Sequence, residues 1–485
     1  MQLGVAHCIL SKNIFTHKSP SVLIYHKVWS EHVYYMLELY TQASVLIMDF
    51  LSESEVADHD SGLALFDKPV YTENFQSQTN VVIQPISPPS NSQHASYTFI
   101  LGSKDDPLYT IPSSVKIFGR LRVCMQNGNP LDKEILAPVP NFPEAIFENI
   151  AVSLNGTPIA DHGRGYSFKS YVNKNLCIDK ATKTSSLLSN YWSDDMGESS
   201  LKVDGANLSN GFKERATLIE KSRDVFFIFP PMVDILNTER YLPPRVQLKI
   251  DLERGPNNLC LLSPNPDLNF KIEILEINML ARRFTPASKI YLENEKRFLA
   301  GGNYIIPFTR STIRYRTLHA GVLSTCIPSI FTGTLPYHFL VCLLVNEQLC
   351  GIDHNPYVFK THDLKSYMIS KNGVSIPQEP VPVGTNDGSF LRSYTHFVEN
   401  TGSQIFNSSN NIPPDEYLDK TFFIAYDLTP DKCMGSHCHK PETGVMDLHM
   451  TFNAPTKTPL TLLILANYES CVSVNKDEVI LDYNT

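Results

Sequence analysis

Two stretches of this sequence resemble each other: Val152-Ser-Leu-Asn-Gly-Thr-Pro-Ile159 and Ile369-Ser-Lys-Asn-Gly-Val-Ser-Ile376. Each has an Asn-Gly pair at its centre. Both residue types tolerate a positive φ, so a two-residue turn between antiparallel strands fits there. The repeated pattern therefore predicts two similar β-hairpins, and it raises the possibility that one unit was duplicated along the chain.

The residues that follow each stretch support a duplication. Each hairpin precedes a segment with apolar residues at helical spacing. Two more matching features then come in the same order, a Phe-Phe-Ile run and a final apolar strand. The helical segments carry Phe168, Tyr171, Val172 and Leu176 in the first half, and Phe390, Tyr394 and Phe397 in the second; the later pairs are Phe226-Phe-Ile228 with Phe422-Phe-Ile424, and the strands that begin at Phe270 and Leu460.

The residues between these features are typical of β-strands. Apolar and polar residues alternate strictly over Val246–Leu252 and nearly so over Lys271–Ile277. Such a period of two buries one face of a strand, whereas a helix would scatter the same residues. Short runs separated by Gly and Pro favour a sandwich or jelly roll over a βαβ fold. We expect one module over residues 62–285, a second over 286–485, and an N-terminal extension of unknown structure over 1–61.

Composition excludes several classes of protein. The chain has 485 residues, a net charge of −9 and only 19% charged residues. It lacks the basic surplus of a dedicated nucleic-acid binder, and no apolar stretch approaches the roughly 18 residues needed to cross a bilayer. Its ten scattered cysteines are typical of free thiols in a reducing compartment. We therefore expect an intracellular protein of the nucleus or cytoplasm, at most in weak contact with nucleic acid.

Two motifs could hold a metal ion, and both have a simpler interpretation. Cys433-Met-Gly-Ser-His-Cys-His439 offers four soft ligands for zinc, but no second cluster accompanies it. Trp192-Ser-Asp-Asp195 pairs two carboxylates without a third ligand. A polar surface loop after a turn explains the first motif better, and an Asp-rich loop or helix cap explains the second. Phosphate loops, nucleophile elbows and His-Glu-x-x-His motifs are missing from the sequence. We therefore predict that the chain has no catalytic, metal or cofactor residues and no small-molecule substrate.

One row of basic residues is a candidate binding surface. Arg310, Arg314 and Arg316 share parity on a predicted strand, while Ile313 and Tyr315 point the other way. Arginines in a row could contact nucleic acid or an acidic neighbouring subunit. An ordinary solvated strand face would have the same pattern.

Six stretches, taken in order, carry a resemblance to a known family. They are Phe147–Gly156, Tyr166–Tyr171, Trp192–Asp195, Ile274–Arg283, Leu318–Gly321 and Phe423–Asp431. Over roughly residues 62–485 the chain resembles the double jelly-roll major capsid proteins of Polinton (Maverick) DNA elements and of adintoviruses. Residues 1–61 do not fit that family.

The resemblance implies an all-β fold of two tandem eight-stranded antiparallel jelly rolls with short helices in the loops. It also implies a function without an active site or cofactor: three chains form a pseudo-hexameric capsomer that tiles an icosahedral shell, with a penton single jelly-roll protein as a further partner and the virion as its location. Two alternatives stay open. One is a host-adopted copy that binds a partner but no longer forms shells. The other is an enzyme that acts on glycans in a cleft between the two modules.

Overall fold

A computed structural model describes residues 74–88, 94–103, 106–132, 134–186, 191–193, 201–384, 388–401, 412–432, 439–475, 477 and 480–483. The predicted N-terminal extension lies outside these residues. Within them, no helix is both long enough and apolar enough to cross a membrane.

The first half of the described chain is a sandwich of two antiparallel four-stranded sheets. Their orders are β1-β10-β3-β7 and β2-β8-β5-β6, and β4 pairs with β9 beside them. The strands are β1 (Phe75–Ile83), β2 (Ser96–Leu101), β3 (Tyr109–Met125), β4 (Ala137–Pro138), β5 (Phe147–Leu154), β6 (Thr157–Ala160), β7 (Val225–Phe229), β8 (Leu248–Arg254), β9 (Leu261–Leu262) and β10 (Phe270–Pro286).

The second half repeats this architecture. Its sheets have the orders β11-β18-β13-β16 and β12-β17-β14-β15, and β19 pairs with β18. The strands are β11 (Tyr304–Leu318), β12 (Ser324–Thr334), β13 (His338–Val345), β14 (Leu364–Lys371), β15 (Val374–Pro382), β16 (Ile424–Asp427), β17 (Thr443–Phe452), β18 (Leu460–Val474) and β19 (Ile480–Tyr483).

The two halves have one strand order. Leaving out the short pair β4–β9 and the terminal β19, each sandwich joins its first, eighth, third and sixth strands in one sheet, and its second, seventh, fourth and fifth in the other. This is the order of a jelly roll, in which two Greek keys fold over one core. The predicted fold class, two tandem eight-stranded jelly rolls, is confirmed. The domain bounds at residues 62 and 286 stay a prediction.

Short helices lie in the loops, as expected. They are α1 (Phe142–Ala145), α2 (Tyr166–Cys177), α3 (Lys180–Lys183), α4 (Asn210–Ile219), α5 (Ser288–Leu299), α6 (Asn346–Cys350), α7 (Phe390–Asn400) and α8 (Pro414–Asp419). Helices α2 and α7 occupy equivalent places, between the fifth and sixth strands of their sandwiches. Helix α5 follows the last strand of the first sandwich.

The repeated Asn-Gly pairs form the predicted turns. Asn155 and Gly156 have φ values of 46° and 85°, and Asn372 and Gly373 have 50° and 81°. Two successive positive φ values match the twist of the flanking strands, here β5–β6 and β14–β15. The two Phe-Phe-Ile runs, in contrast, do not occupy matching positions in the sixth strands of their sandwiches. Phe226–Ile228 lies within β7, whereas β16 begins only at Ile424.

Candidate assembly interface

The two sandwiches meet along a buried seam. Strand β11 presents one face to the core of its own sandwich, where Ile306 and Phe308 are buried. Its opposite face packs on the first sandwich. There, a Cβ atom added to Gly165 would lie only 2.6 Å from Ile313 Cγ2, so the backbone at Gly165 touches that side chain directly. The Tyr315 hydroxyl donates to the carbonyl of Arg164 at 3.1 Å.

A charged cluster lies at the centre of this seam. Lys169 Nζ is 2.5 Å from Asp234 Oδ1 and 2.7 Å from His162 Nε2. Asp234 Oδ2 also accepts from the backbone N–H of Ser311 in β11 at 2.8 Å, which ties the first sandwich to the second. Ser311 Oγ lies 2.9 Å from Asn467 Oδ1, and this extends the network into β18.

Asp234 is held in its charged form. Burial alone would raise the pKa of this carboxyl, but the adjacent Lys169 and His162 hold the pKa well below its ordinary value. A buried ion pair contributes little net stability when it is complete, yet removal of one partner leaves an uncompensated charge. The cluster therefore fixes the position of one sandwich on the other.

A second buried ion pair holds α2, which carries Lys169. Lys174 Nζ is 2.6 Å from Glu144 Oε1, and Tyr166 donates to Glu144 Oε2 at 3.2 Å. Ser170 also hydrogen bonds to this carboxylate. Burial raises the pKa of Glu144, and Lys174 opposes that shift. These contacts fasten α2 to α1 and so position its first turn at the seam.

Aromatic rings extend the seam beyond the charged cluster. Tyr171 of α2 lies 4.6 Å from Tyr357 and 6.2 Å from Phe359, measured between ring centroids, and Phe168 lies 5.5 Å from Tyr357. Trp192 stacks on the other side of Tyr171 at 5.0 Å. All these rings are buried. Aromatic pairs in such arrangements stabilise beyond their buried area, so this region joins the two halves firmly.

Backbone hydrogen bonds complete the seam. The N–H of Val203 donates to Asp353 O at 2.7 Å, and the N–H of Asn355 donates to Leu201 O at 2.9 Å. Ser263 donates to Ile352 O at 2.8 Å. A loop of the first sandwich is therefore paired like a strand with the segment that follows α6.

The arginine row lies on one side of β11, as its parity predicts. Arg310 lies over the ring of Phe308 at 5.3 Å, and Arg314 lies over that of Phe331 at 5.5 Å. Arg314 also donates to Ile330 O of the facing sheet at 3.1 Å, and both Arg314 and Arg316 are exposed. Two of the three arginines thus cover the margin of their own sandwich core. A role of this row in binding nucleic acid stays a prediction.

The two candidate metal motifs fall mostly on residues outside the described ranges, namely 433–438 and 194–195. Of the first motif, His439 is described. Its Nε2 is 3.0 Å from Asp431 Oδ1 and its Nδ1 is 3.4 Å from Glu469 Oε1. His439 lines a cavity of about 400 Å³ together with Tyr337 and Glu442. Among the described residues, no three His, Cys, Asp or Glu side chains are grouped to hold a metal ion.

The residues that join the sandwiches at the seam were not predicted from the sequence. Lys169, Asp234 and Ser311 lie in three separate segments, and only the tertiary fold brings them together. One signal was available. Helix α2 has apolar residues at helical spacing, yet Lys169 follows Phe168 directly and so lies next to the apolar face. In the structure most of this helix is buried, including Lys169 and Lys174.

Comparison with known proteins gives one related sequence. The chain is 22% identical over 350 residues to the Caenorhabditis elegans protein F54H12.2, covering 69% of this chain and 80% of that protein. No family model matches the sequence.

Solved structures match the fold over most of the chain. A chain of the virophage Sputnik, determined by cryo-EM, is similar with a TM-score of 0.57 at 13% identity, over 88% of this chain and 92% of that chain. The Faustovirus major capsid protein gives 0.52 at 8% identity, over 84% and 92%. PBCV-1 VP54, fitted into a reconstruction of Sputnik, gives 0.51 at 11% identity, over 87% and 100%. At such low sequence identities the similarity concerns the fold alone.

Proposed function

We propose that this chain is a structural capsid protein, a building block of a shell. The observation that carries the proposal is the pair of sandwiches with one strand order, packed through a buried seam, in a fold that matches the Faustovirus major capsid protein over 92% of that chain. The resemblance to Polinton and adintovirus capsid proteins, which came from other features of the sequence, supports the same role.

In this role three chains form one capsomer. Each chain supplies two sandwiches of the same topology, so a ring of three chains presents six similar units and has a nearly hexagonal outline. Hexagonal units tile most of an icosahedral shell, and a single jelly-roll protein at the five-fold positions would complete it. Assembly in the nucleus or cytoplasm and incorporation into a virion belong to the same proposal.

Electron microscopy of the purified full-length chain tests the proposal. We expect particles of three chains with a hexagonal outline, and larger shells at high protein concentration. Chains that stay monomeric over the whole concentration range would contradict the capsid role.

A second candidate is a chain that keeps the fold but binds a partner in place of forming shells. The C. elegans relative favours it, because a protein of similar sequence belongs to an animal. Trimers that never progress to shells, together with recovery of one constant partner, would favour this candidate over the first.

The glycan-enzyme alternative has less support. It expects carboxylates and aromatic rings to converge in an open cleft between the sandwiches. Rings do converge there, and the seam is not wholly apolar, but the carboxylate at the charged cluster, Asp234, is buried and paired with Lys169. Glycoside hydrolysis ordinarily uses two carboxylates beside the scissile bond.

A further inference from the structure

Three buried polar side chains meet between α1 and α2. Asn141 lies directly before α1, Glu144 lies within it, and Lys174 lies near the end of α2. These three residues are at most 2% exposed. Lys174 Nζ is 2.7 Å from Asn141 Oδ1 and 2.6 Å from Glu144 Oε1. One amine therefore contacts both a side-chain amide and a carboxylate, away from water.

The amide carbon of Asn141 is within reach of this amine. Because a C=O bond measures about 1.23 Å, the contact with Oδ1 places Asn141 Cγ less than about 4 Å from Lys174 Nζ. A bond forms from a separation of about 3 to 3.5 Å between the reacting atoms. The Asn141 side chain is held in this orientation, because its Nδ2 donates to Ser170 Oγ at 2.9 Å. A small shift of the lysine side chain therefore brings Nζ into position to attack Cγ.

Glu144 can take the proton that blocks such an attack. An ammonium group has no free electron pair, so a lysine becomes a nucleophile only after it loses a proton. Burial raises the pKa of Glu144, which favours its neutral form. Ser170 Oγ donates to Glu144 Oε2 and accepts from Asn141 Nδ2. This hydroxyl therefore links the carboxyl group to the nitrogen atom that would leave.

We propose that Lys174 and Asn141 join in a covalent amide cross-link, with Glu144 as the proton acceptor. Lys174 Nζ attacks Asn141 Cγ and forms a new C–N bond. The bond from Cγ to Nδ2 breaks, and its electron pair leaves with the nitrogen. Of the three protons on the lysine ammonium, one stays on the new amide, one departs with Nδ2 as ammonia, and one is kept by Glu144. The reaction consumes no oxidant and no cofactor.

The cross-link would fasten α2 to the loop in front of α1. It closes a covalent loop between residues that are 33 positions apart in the sequence. Such a closure restricts the unfolded chain, and it fixes the helix that carries Lys169 of the charged cluster at the seam. The inference goes beyond the proposed capsid function and does not depend on it, because all the reacting groups lie within one chain.

A second lysine–asparagine contact has a different environment. Lys432 Nζ is 2.9 Å from Asn400 Oδ1, but Lys432 is exposed. It also donates to the backbone carbonyl of Asp427, and a backbone carbonyl does not take a proton from an amine. We expect no cross-link at this pair, which makes Lys432 a matched control for Lys174.

Intact-mass spectrometry of the purified full-length chain, after denaturation, tests the cross-link. We expect a mass about 17 Da, or one ammonia, below that of the sequence, and after proteolysis a branched peptide joined at Lys174 and Asn141. Lys174→Arg keeps a positive charge beside Glu144 but removes the reacting amine, so this variant should have its full mass. The control Lys432→Arg should show the same mass loss as the unmodified chain.

The position of the modification separates the cross-link from another loss of ammonia. An Asn-Gly pair such as Asn155-Gly156 can cyclise onto its own backbone, but this reaction joins no two peptides. An unmodified chain with its full mass and separate peptides would overturn the proposal, and so would a loss that persists in Lys174→Arg. These two measurements decide the proposal even where a further variant does not fold.

Glu144→Gln tests the proton acceptor, because it leaves both reacting groups in place. We expect this variant to have its full mass, and thermal melting shows whether it is folded. A Glu144→Gln chain that forms the branched peptide as completely as the unmodified chain would contradict the role of Glu144.

Discussion

The outward sheet faces of the two sandwiches differ in a way that their shared topology does not explain. In the second sandwich this face is covered: Leu340 and Leu465 are buried in one cross-strand row, and Ser311 in another row binds Asn467 and also Asp234 of the first sandwich. In the first sandwich the matching face is open, and Phe226 and Ile228 are 69% and 43% exposed. In the first sandwich, apolar Phe226 stands beside charged Arg120, its cross-strand partner. Arg120 and Arg122 both bind Asp224 at the end of this patch, at 3.2 and 2.7 Å.

The difference between the covered and the open face shows how one fold can serve both the folding of a single chain and the association of several chains. A face that is covered during folding can combine apolar rows with a buried charged network, because its polar groups find partners within the same chain. A face that stays open until another copy arrives needs charged residues among the apolar ones, since a large bare patch promotes aggregation. Mutations that disturb the inner seam should therefore reduce stability, whereas mutations on the open face should alter association.

The largest loss of stability is expected from Lys169→Met. The substitution leaves Asp234 charged and buried without its partner, which costs about 3 to 5 kcal/mol. The free energy of unfolding, measured by urea titration, should fall by this amount. The double variant Lys169→Met/Asp234→Asn removes both charges and should lose less. An equal or larger loss in the double variant would contradict the role of this ion pair.

A steric change at the same seam should have the next largest effect. Gly165→Ala places a methyl group against Ile313 and should cost about 1 to 3 kcal/mol by overpacking. Gly165 has ordinary negative φ, so the cost comes from the contact and not from backbone strain. Ile313→Ala makes room for the methyl group, and the double variant should therefore be more stable than the sum of the two single losses predicts. Strict additivity would show that these residues do not touch.

Acid should weaken the second sandwich through two half-buried histidines, His396 and His362. Burial lowers the pKa of His396 and of His362 to about 4, from 6.5 in an exposed histidine. Between pH 6.5 and 4 the unfolded chain binds protons that the folded chain excludes, so stability falls as the pH falls. At pH 5.5 the loss is about 1 kcal/mol for each histidine.

His396→Gln should remove its part of this pH dependence. The decisive quantity is the difference in urea midpoint between pH 7 and pH 5.5, compared with that of the unmodified chain. Asp234 has a lowered pKa, so its contribution is complete above the ordinary carboxyl range and is lost only at more acidic pH. An unchanged difference in the His396→Gln variant would mean that this histidine titrates normally in the folded chain.

The smallest effects are expected in the arginine row. Arg314→Ala removes a contact over Phe331 and a hydrogen bond to Ile330 O, which together contribute about 0.5 to 1 kcal/mol. Arg316→Ala should change stability by less than about 0.5 kcal/mol, as is usual for an exposed side chain on the surface. Thermal melting of the two variants compares them directly. Equal losses would mean that the ring contact and the hydrogen bond of Arg314 do not contribute to stability.

The sequence was sufficient to predict the fold because its signals are local. An Asn-Gly pair forms its turn from its own backbone preferences, and alternation along a strand shows which side is buried. These signals recur in both halves, as in Val152–Ile159 and Ile369–Ile376, so each half supports the interpretation of the other. The correspondence is weakest at β16, where the Phe-Phe pair precedes the strand.

The interface residues were harder to predict because their roles depend on contacts far apart in sequence. Asp234 is separated by 65 residues from Lys169 and by 77 from Ser311. Nothing within either segment marks these residues as partners. The arginine row shows the opposite case. The prediction that its three arginines lie on one side of the strand was correct. The alternation alone could not show that Arg314 lies across the ring of Phe331 on the facing sheet.

An electron cryo-microscopy map of the assembled full-length particle tests the central claim most directly, because it shows what covers Phe226 and Ile228. The account predicts a ring of three chains, in which the second sandwich of a neighbouring copy lies at this face. A map in which this face is open to solvent, or meets the same face of another copy, would contradict it.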